Sequence, residues 1–239
     1  MFRILYVFPH PDDESYGPAG AIDKSIEEGN EVHLLTLTKG GATKQRHRFN
    51  LSIKEMGEVR YREMLNVKES LNLTSMKVHD LTDSGLKEMD PRDIEKIIHD
   101  HVLKINPDIL ITYPVHGISG YPDHLITHAA VKRVFMELKD KNNNLRRLAF
   151  FGLTEDDNKK NEKFDFKTIK GEETDCVVEL STENVKAAHN ALDCYVTYKV
   201  PIEGSHIKEM VTKSLSFEFF QESFKPPVAS LTDRLIKKY

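Results

Sequence analysis

The sequence predicts an α/β fold in which a mostly parallel, Rossmann-like sheet carries helices on both faces. Strand and helix patterns alternate through the first 150 residues, which is typical of right-handed βαβ units. The strand segments are densely apolar, as expected for a sheet that is covered on both faces. With 239 residues, of which 39% are hydrophobic, the chain suits a single domain over residues 1–239.

The first half of the chain supplies four strands and the helices that follow them. Apolar runs rich in aromatic and branched side chains predict strands at 2–8, 31–38, 76–79 and 108–112. Helical spacing and capping residues predict helices at 18–28, at 52–72, from Asp90-Pro91 onward and after the loop that ends near His124.

The second half is predicted with less regular structure. Strands are expected at 145–153, 176–180 and 214–220, with one helix from Ser181 to about residue 197. Residues 154–175 are strongly charged, which predicts an exposed insertion with little core, and residues 225–239 are interpreted as a tail. No internal repeat occurs.

Composition excludes several classes of protein. A net charge of −4 and a pI near 6.3 give no basis for general nucleic-acid binding. Cys176 and Cys194 lack CxxC spacing and are expected to be reduced, buried thiols. Neither a leader-like start nor an apolar stretch of membrane-spanning length occurs, so we expect a cytoplasmic protein. The sequence leaves homo-oligomerisation open.

The segment Pro9-His10-Pro11-Asp12-Asp13-Glu14 stands where the first strand meets a helix. In α/β sheets, ligands bind at this end of the strands. The flanking prolines restrict the backbone and so aim the side chains. One interpretation is a polar loop that caps the following helix. Three consecutive acids exceed what a cap needs, and this favours a metal site with a carboxylate base.

A second polar loop, residues 113–124, follows the fourth strand and ends in Asp123-His124. Loops at this position carry chemistry in α/β proteins. His124 lies nearer the sheet edge than His128, so it is the better candidate ligand. A catalytic zinc ion takes three protein ligands, and His10, one acid of the first loop and His124 would supply them. Spacing alone does not decide whether Asp12 or Asp13 is the ligand and which is the base.

The segment after the first strand lacks a GxGxxG motif, so the sequence does not support a dinucleotide-binding site. A basic loop with Lys44, Arg46, His47 and Arg48 follows the second strand. It is interpreted either as a solvated loop or as a contact for an anionic or sugar substrate.

These motifs together resemble the LmbE-like or PIG-L deacetylases, zinc-dependent enzymes that remove N-acetyl groups from glucosamine-containing substrates. The resemblance covers about residues 2–135 and rests on five segments: PHPDDE at 9–14, Thr38-Lys39-Gly40, Arg60-x-x-Glu63, Asp83-Ser84-Gly85-Leu86, and residues 117–124 ending in Pro122-Asp123-His124.

The resemblance implies roles for individual residues. It makes His10, Asp13 and His124 the zinc ligands and Asp12 the general base. It implies that Arg60 holds the substrate. Glu14 would support the metal loop, and Asp123 would orient a ligand of the metal. Other divalent ions remain open, because availability as well as affinity decides which metal is bound.

Tyr121 departs from the family pattern, which usually has a histidine there to stabilise the tetrahedral oxyanion. A neutral phenol can donate the hydrogen bond but brings no positive charge. By analogy with other oxyanion donors, losing a charged donor costs about 10²–10³ in rate. Three hypotheses follow: a zinc-dependent N-deacetylase of an N-acetylglucosamine-type conjugate, a silent metal-binding protein of this fold, and a zinc hydrolase of another amide.

Overall fold

The computed structural model describes residues 1–141, 144–159, 164–211 and 213–236. Its centre is a seven-stranded sheet with the order β3-β2-β1-β4-β5-β7-β6. The strands are β1 (Arg3–Phe8), β2 (Glu31–Thr38), β3 (Ser75–Leu81), β4 (Ile109–Thr112), β5 (Arg147–Gly152), β6 (Cys176–Glu179) and β7 (Ser214–Phe219).

Strands β1 to β5 pair in parallel, whereas β7 runs antiparallel between β5 and β6. This arrangement confirms the predicted α/β fold with a mostly parallel sheet. The antiparallel β7 inserts between two strands that precede it in the chain. Strand patterns in a sequence do not reveal such an insertion, because neighbours in a sheet need not be neighbours in the chain.

Eight α-helices surround the sheet in the described part of the chain. They are α1 (Ala19–Glu27), α2 (Ile53–Ser70), α3 (Pro91–Ile105), α4 (Pro122–Leu138), α5 (Glu155–Asn158), α6 (Thr182–Asp193), α7 (Lys199–Ser205) and α8 (Ile207–Met210). Alternate residues of β1 enter opposite cores: Tyr6 packs with α1, α2 and α6, and Val7 packs with α3 and α4. Helices therefore cover both faces, as predicted.

Local capping chemistry fixes where the long helices begin. Ser52 and Glu55 form a reciprocal capping box at the start of α2. Asp90 caps α3 and Pro91 occupies its first turn. Helix α3 ends at Asn106, whose backbone is left-handed. These short-range signals explain why the predicted and observed helix bounds agree closely in the first half of the chain.

The order of the strands reverses direction between β1 and β4. From β1 the chain moves outward to β2 and β3, then returns to β4 on the other side of β1. The loops that follow β1 and β4 therefore border a crevice at the carboxyl ends of two neighbouring parallel strands. Such a switch point is where open α/β sheets bind ligands.

Two predictions for the second half need correction. Residues 154–175 were predicted to contribute little core, yet Ile169 is buried and packs against Gly152. Residues 160–163 lie outside the described part. The predicted helix beyond Ser181 ends earlier, at Asp193, and short helices follow.

The predicted tail is anchored to the sheet by Arg147. This fully buried guanidinium pairs with Glu222 at 2.8 Å and donates to the carbonyl oxygens of Leu231 and Asp233. The chain around Leu231 and Asp233 is thereby held against β5, because a buried guanidinium must satisfy its donors. Residues 237–239 lie outside the described part.

Cys176 is buried and Cys194 is partly buried, and the two are not bonded to each other. Among the described residues, no helix combines the length and apolar composition that crossing a bilayer requires.

Three histidines cluster at the outer edge of the sheet: His33 on β2, His79 on β3 and His101 on α3. Burial lowers the pKa of His101 to about 4, and the charges of His79, Lys104 and His33 add to this shift. Burial also lowers the pKa values of His33 and His79. These three side chains therefore bind a proton less readily in the folded protein than in the unfolded chain, where their pKa is about 6.5.

We expect the contribution of His101 to the free energy of unfolding to fall as the pH is lowered from 7 to 5. In this window, between the unfolded pKa of 6.5 and the folded value near 4, the unfolded chain binds a proton at this residue that the folded protein does not. This contribution is on the order of 1 kcal/mol after allowing for the partial exposure of His101. Urea titrations at pH 7 and pH 5 should therefore show a smaller loss, or a larger gain, of stability at pH 5 in His101→Gln than in the unaltered protein. The same change at exposed His47 is the matched control, and an equal effect there would contradict the assignment.

Candidate metal centre and substrate cavity

The loop after β1 is a tight turn that is held by its own residues. The His10 N–H donates to Asp13 Oδ2 at 2.9 Å, and the N–H groups of Ser15 and Tyr16 both donate to the carbonyl oxygen of Asp12 at 2.8 Å. Asp12 adopts φ 83°, in the left-handed region that non-glycine residues rarely occupy. A strained backbone conformation of this kind persists only where contacts with the surrounding structure hold it in place. Such residues are often found at functional sites.

Two histidines and a carboxylate converge at the crevice. Single nitrogen and oxygen atoms of His10, Asp13 and His124 all lie within 4.8 Å of one another. Asp13 Oδ1 is 3.6 Å from His124 Nε2, and Asp13 Oδ2 is 3.6 Å from His10 Nδ1. The three residues come from the loop after β1 and from the start of α4, so the reversal of strand order is what brings them together.

Hydrogen bonds determine which ring nitrogens face this centre. His124 Nδ1 lies 3.0 Å from the carbonyl oxygen of Gly117, which can only accept, so Nδ1 carries the proton. His10 Nε2 lies 3.1 Å from Asp123 Oδ2 and donates to it. His124 Nε2 and His10 Nδ1 are consequently the nitrogens directed towards Asp13. Burial lowers the pKa of His124, which favours the neutral ring that a metal requires.

Tyr113 contacts two of the three residues of the centre, Asp13 and His124. Its hydroxyl donates to Asp13 Oδ1 at 2.7 Å, and its ring stacks on His124 with centroids 4.2 Å apart and an interplanar angle of 6°. Burial opposes ionisation of Asp13, but His124 and the hydrogen bond from His10 outweigh it, and the pKa of Asp13 is lowered. Asp13 is therefore held as a carboxylate.

Asp123 ties the centre to the loop after β3. It is fully buried and accepts hydrogen bonds from the N–H groups of Ser84 and Leu86 at 2.9 and 3.2 Å. Asp83 Oδ1 also approaches His10 Nε2, at 3.4 Å. Burial alone would lower the pKa of His10, but its bonds to Asp123 and Asp13 prevail and raise it to about 10. In the absence of a metal, His10 thus carries a proton that a bound metal would displace.

Arg60 lies against Asp12. Its Nη2 donates to Asp12 Oδ2 and to the Pro11 carbonyl oxygen, both at 2.7 Å, and its Nη1 donates to the Gly40 carbonyl oxygen at 3.1 Å. The guanidinium carbon also lies 4.1 Å from the centroid of the Tyr198 ring. This buried side chain, for which the resemblance implies a substrate contact, is engaged with the loop of the site. The implied contact stays a prediction.

Asp12 is buried beside the charges of its neighbours. Burial raises the pKa of Asp12, and the nearby charges of Asp13 and Glu14 raise it further. The Arg60 guanidinium lowers it, but the raising effects are larger, so the pKa of Asp12 is about 7. A carboxyl group poised near neutrality can both accept and return a proton at physiological pH.

Glu14 is fully buried behind the loop. Its Oε1 accepts hydrogen bonds from the hydroxyl groups of Tyr195 at 2.6 Å and Ser15 at 2.7 Å. Burial raises the pKa of Glu14 despite these bonds. Through Tyr195 the carboxyl group links the loop after β1 to the segment that follows α6.

Tyr121 stands at the N-terminus of α4 and is half exposed. Its ring centroid lies 6.1 Å from that of His10 and 6.0 Å from that of His124. The ring therefore borders the candidate metal centre from the solvent side. Its position is compatible with contact to a bound substrate, and its implied catalytic role stays a prediction.

The centre opens into a cavity of about 790 Å³, within the range of small-molecule sites. Polar side chains form one part of its lining, which we call the inner end: His10, Asp12, Asp13, Thr43, Asp83, Ser84 and His124. An apolar part of the lining, which we call the outer end, includes Phe151, Leu153, Phe164, Phe166, Ile207 and Met210. Thus one cavity contains two chemically different surfaces.

The sequence reasoning missed four residues that support the site. Asp83 lies two residues after the end of β3, and Tyr113 directly follows β4. Their positions at the ends of strands could have identified both as candidate site residues. Tyr195 and Tyr198 come from a region without a recognisable motif, about 135 residues beyond Arg60. No signal in the sequence placed them beside Glu14 and Arg60.

Comparison with solved structures shows the same fold. Teicoplanin deacetylase Orf2, in a zinc-inhibited form, has a TM-score of 0.70 at 14% identity and covers 92% of this chain and 100% of that chain. A 4-carboxy-2-hydroxymuconate hydratase from Pseudomonas putida also has a TM-score of 0.70, at 12% identity over 100% of both chains. At these identities the likeness establishes the fold alone.

Curated relatives match about half of the chain. A probable N-acetylglucosaminyl-phosphatidylinositol de-N-acetylase of Schizosaccharomyces pombe is 31% identical over 139 residues, which cover 55% of this chain and 51% of that protein. A mycothiol S-conjugate amidase of Streptomyces coelicolor is 32% identical over 146 residues, 54% of this chain and 50% of that protein. The chain spans about half the length of these relatives.

The sequence model of the PIG-L family, described as GlcNAc-PI de-N-acetylase, matches residues 5–135. This range takes in His10, Asp12, Asp13, Arg60 and His124. Because the match includes more than half of the chain and both loops of the candidate metal centre, the protein belongs to the PIG-L family.

Proposed function

We propose that this protein is a metal-dependent hydrolase that removes the acetyl group from an N-acetylglucosamine-type conjugate. The observation that carries the proposal is the convergence of His10, Asp13 and His124 beside the buried carboxyl group of Asp12. Relatives named as an amidase and as deacetylases of glucosamine-containing compounds support this class of reaction.

The donor set suits zinc. His10 Nδ1, His124 Nε2 and an oxygen of Asp13 provide the two imidazoles and one carboxylate that catalytic zinc sites use. His10 also donates its other ring proton to Asp123, the arrangement that orients histidine ligands in metal sites. A bound zinc ion would act as a Lewis acid and make hydroxide available near neutral pH. The donor set also accepts other divalent ions.

Asp12 is the proposed general base. Arg60 fixes this carboxylate through Oδ2, and its pKa near 7 allows it to accept a proton from the attacking water. The hydroxide then attacks the amide carbonyl carbon. Asp12 subsequently returns the proton to the departing amine, so that acetate and the free amino sugar are released. The same carboxyl group thus serves both halves of the reaction.

Tyr121 is the proposed donor to the oxyanion that develops at the acetyl oxygen. Its ring borders both histidines, and its phenol can donate a hydrogen bond. The hydroxyl groups of the sugar would meet the polar inner end of the cavity, where Thr43, Asp83 and Ser84 lie. Small polar residues and carboxylates of this kind fix the orientation of a ligand.

The half-exposed position of Tyr121 also supports a second candidate function, a metal-binding protein of this fold without catalysis. A site that relies on one half-exposed, neutral phenol offers weaker oxyanion stabilisation than a buried, charged donor. Release of acetate from a glucosamine conjugate by the unaltered protein would exclude this alternative.

Asp12→Asn should lower kcat for acetate release by about 10²–10⁴, because the amide cannot accept the proton yet can still accept a hydrogen bond from Arg60. The measurement is acetate release from an N-acetylglucosamine conjugate, with metal content determined on the same sample. Asp80→Asn, an exposed carboxylate near the same sheet edge, is the control. Full activity of Asp12→Asn with normal metal content would refute the assignment of the base.

Tyr113→Phe should weaken zinc binding by about 10- to 100-fold, because Asp13 loses the hydroxyl that orients it. Competition with a chromophoric chelator measures this affinity. Tyr6→Phe is the matched control, since the Tyr6 hydroxyl is buried in the same sheet without a hydrogen-bond partner among the described residues. Equal zinc affinity in the two variants would count against the proposed metal centre.

Tyr121→Phe should reduce kcat by about 10²–10³ and leave KM nearly unchanged, because an oxyanion donor acts mainly in the transition state. Steady-state kinetics on the same conjugate tests this expectation. Tyr121→His supplies the complementary test. A large gain of activity from an inactive starting protein would instead favour the silent metal-binding function.

A further inference from the structure

We propose that the outer end of the cavity binds an apolar aryl or alkyl group carried by the amino-sugar substrate. This inference rests on the proposed function for the chemistry at the inner end, and it specifies the substrate class. Six side chains form the apolar wall: Phe151, Leu153, Phe164, Phe166, Ile207 and Met210. We refer to these residues as the apolar wall.

The apolar wall begins directly at the loop of the metal centre. The Phe151 ring packs so closely on Gly17 that a Cβ at this glycine would lie 2.1 Å from the ring. Phe151 in turn packs on Phe217 of β7, with centroids 5.8 Å apart. The position of this ring is therefore fixed from both sides. A substrate group that extends from the metal centre would reach apolar surface within a short distance.

The segment that carries Phe164 and Phe166 is attached to the loop after β4. The N–H of Lys167 donates to the carbonyl oxygen of Ile118 at 2.8 Å, three residues before Tyr121. The N–H of Ile169 donates to the carbonyl oxygen of Leu153 at 2.9 Å. These backbone bonds hold the segment beside the loop that leads to His124. The apolar wall and the metal centre are thus parts of one structure.

Phe164 and Phe166 form a flat aromatic surface at the cavity. Their ring centroids are 5.4 Å apart and their planes differ by 15°. Phe164 is 48% exposed, so part of its ring surface faces solvent. Exposed aromatic surface gains free energy when another apolar group covers it. A phenyl ring or an alkyl chain would supply that cover.

The charges around the cavity disfavour an anionic group at this end. Among the described residues that line the cavity, the lysine and arginine side chains are those of Lys44 and Arg60. Arg60 is engaged by Asp12 and by two carbonyl oxygens, and Lys44 is exposed at the rim. Phosphate and dicarboxylate groups require paired cationic donors, which this surface does not present. An apolar substituent fits better.

The apolar wall lies between residues 151 and 210, beyond the range 5–135 that the PIG-L model matches. The family match therefore does not fix the composition of the wall. The apolar group of the substrate has two sources, an aglycone at the anomeric carbon or an acyl chain longer than acetyl on the nitrogen. Both offer the same chemistry to the wall.

Kinetics on three substrates test the inference and distinguish the sources. We expect kcat/KM for phenyl N-acetylglucosaminide or for N-octanoylglucosamine to exceed that for N-acetylglucosamine at least tenfold, and the preferred compound identifies the source. Phe166→Ala should lower this preference, expressed as a ratio, by about five- to tenfold. Phe49→Ala removes an exposed aromatic ring outside the cavity and should leave the ratio unchanged. Equal kcat/KM values for all three compounds would overturn the inference.

A binding measurement separates this inference from the proposed hydrolysis. Phenyl glucosaminide, which has no acetyl group, is titrated calorimetrically into the zinc-loaded protein and its Phe166→Ala variant, with free glucosamine as reference. Tighter binding of the phenyl compound that depends on Phe166 supports the apolar subsite even if no acetate is released. Acetate release without any preference for the phenyl or the octanoyl compound supports the proposed function and refutes the subsite. Thermal melts of both variants verify that they fold.

Discussion

The parallel pairing of β1 with β4 is the constraint on which the site depends. Ile4, Leu5 and Tyr6 pair with Ile109, Leu110 and Ile111, so the two strands end side by side. The loop that carries His10 and Asp13 is thereby set next to the loop that leads to His124, although more than 100 residues separate them. The paired residues of both strands are fully buried, and the hydrophobic cores on either face hold this register.

The second constraint is electrostatic, because several carboxyl groups are buried within one crevice. Each has a specific partner: Arg60 for Asp12, Tyr113 and the two histidines for Asp13, and Tyr195 for Glu14. Asp123 is satisfied by two backbone N–H groups and by His10. Buried charges without such partners cost several kcal/mol. The tyrosines therefore help to stabilise the acidic loop, together with the Arg60 cation.

The site has two parts with different origins in the chain. The polar inner end comes from residues within the family match, and the apolar wall comes from the region after β5. The segment after α6 contacts both parts, since Tyr195 and Tyr198 support Glu14 and Arg60 while Ile207 lines the wall. One segment of the chain therefore supports the residues around the candidate metal centre and also lines the apolar part of the cavity.

The sequence by itself determined the seven strands, the long helices and the loops that carry His10 and His124. Apolar periodicity and capping act over a few residues, so a single stretch such as Ser52-Ile53 contains its own signal. Only the tertiary structure decided that β7 lies between β5 and β6, that Arg147 anchors the end of the chain, and that Phe166 faces the cavity. These outcomes depend on long-range packing, where the partner of a side chain is chosen by the whole fold and not by its neighbours in sequence.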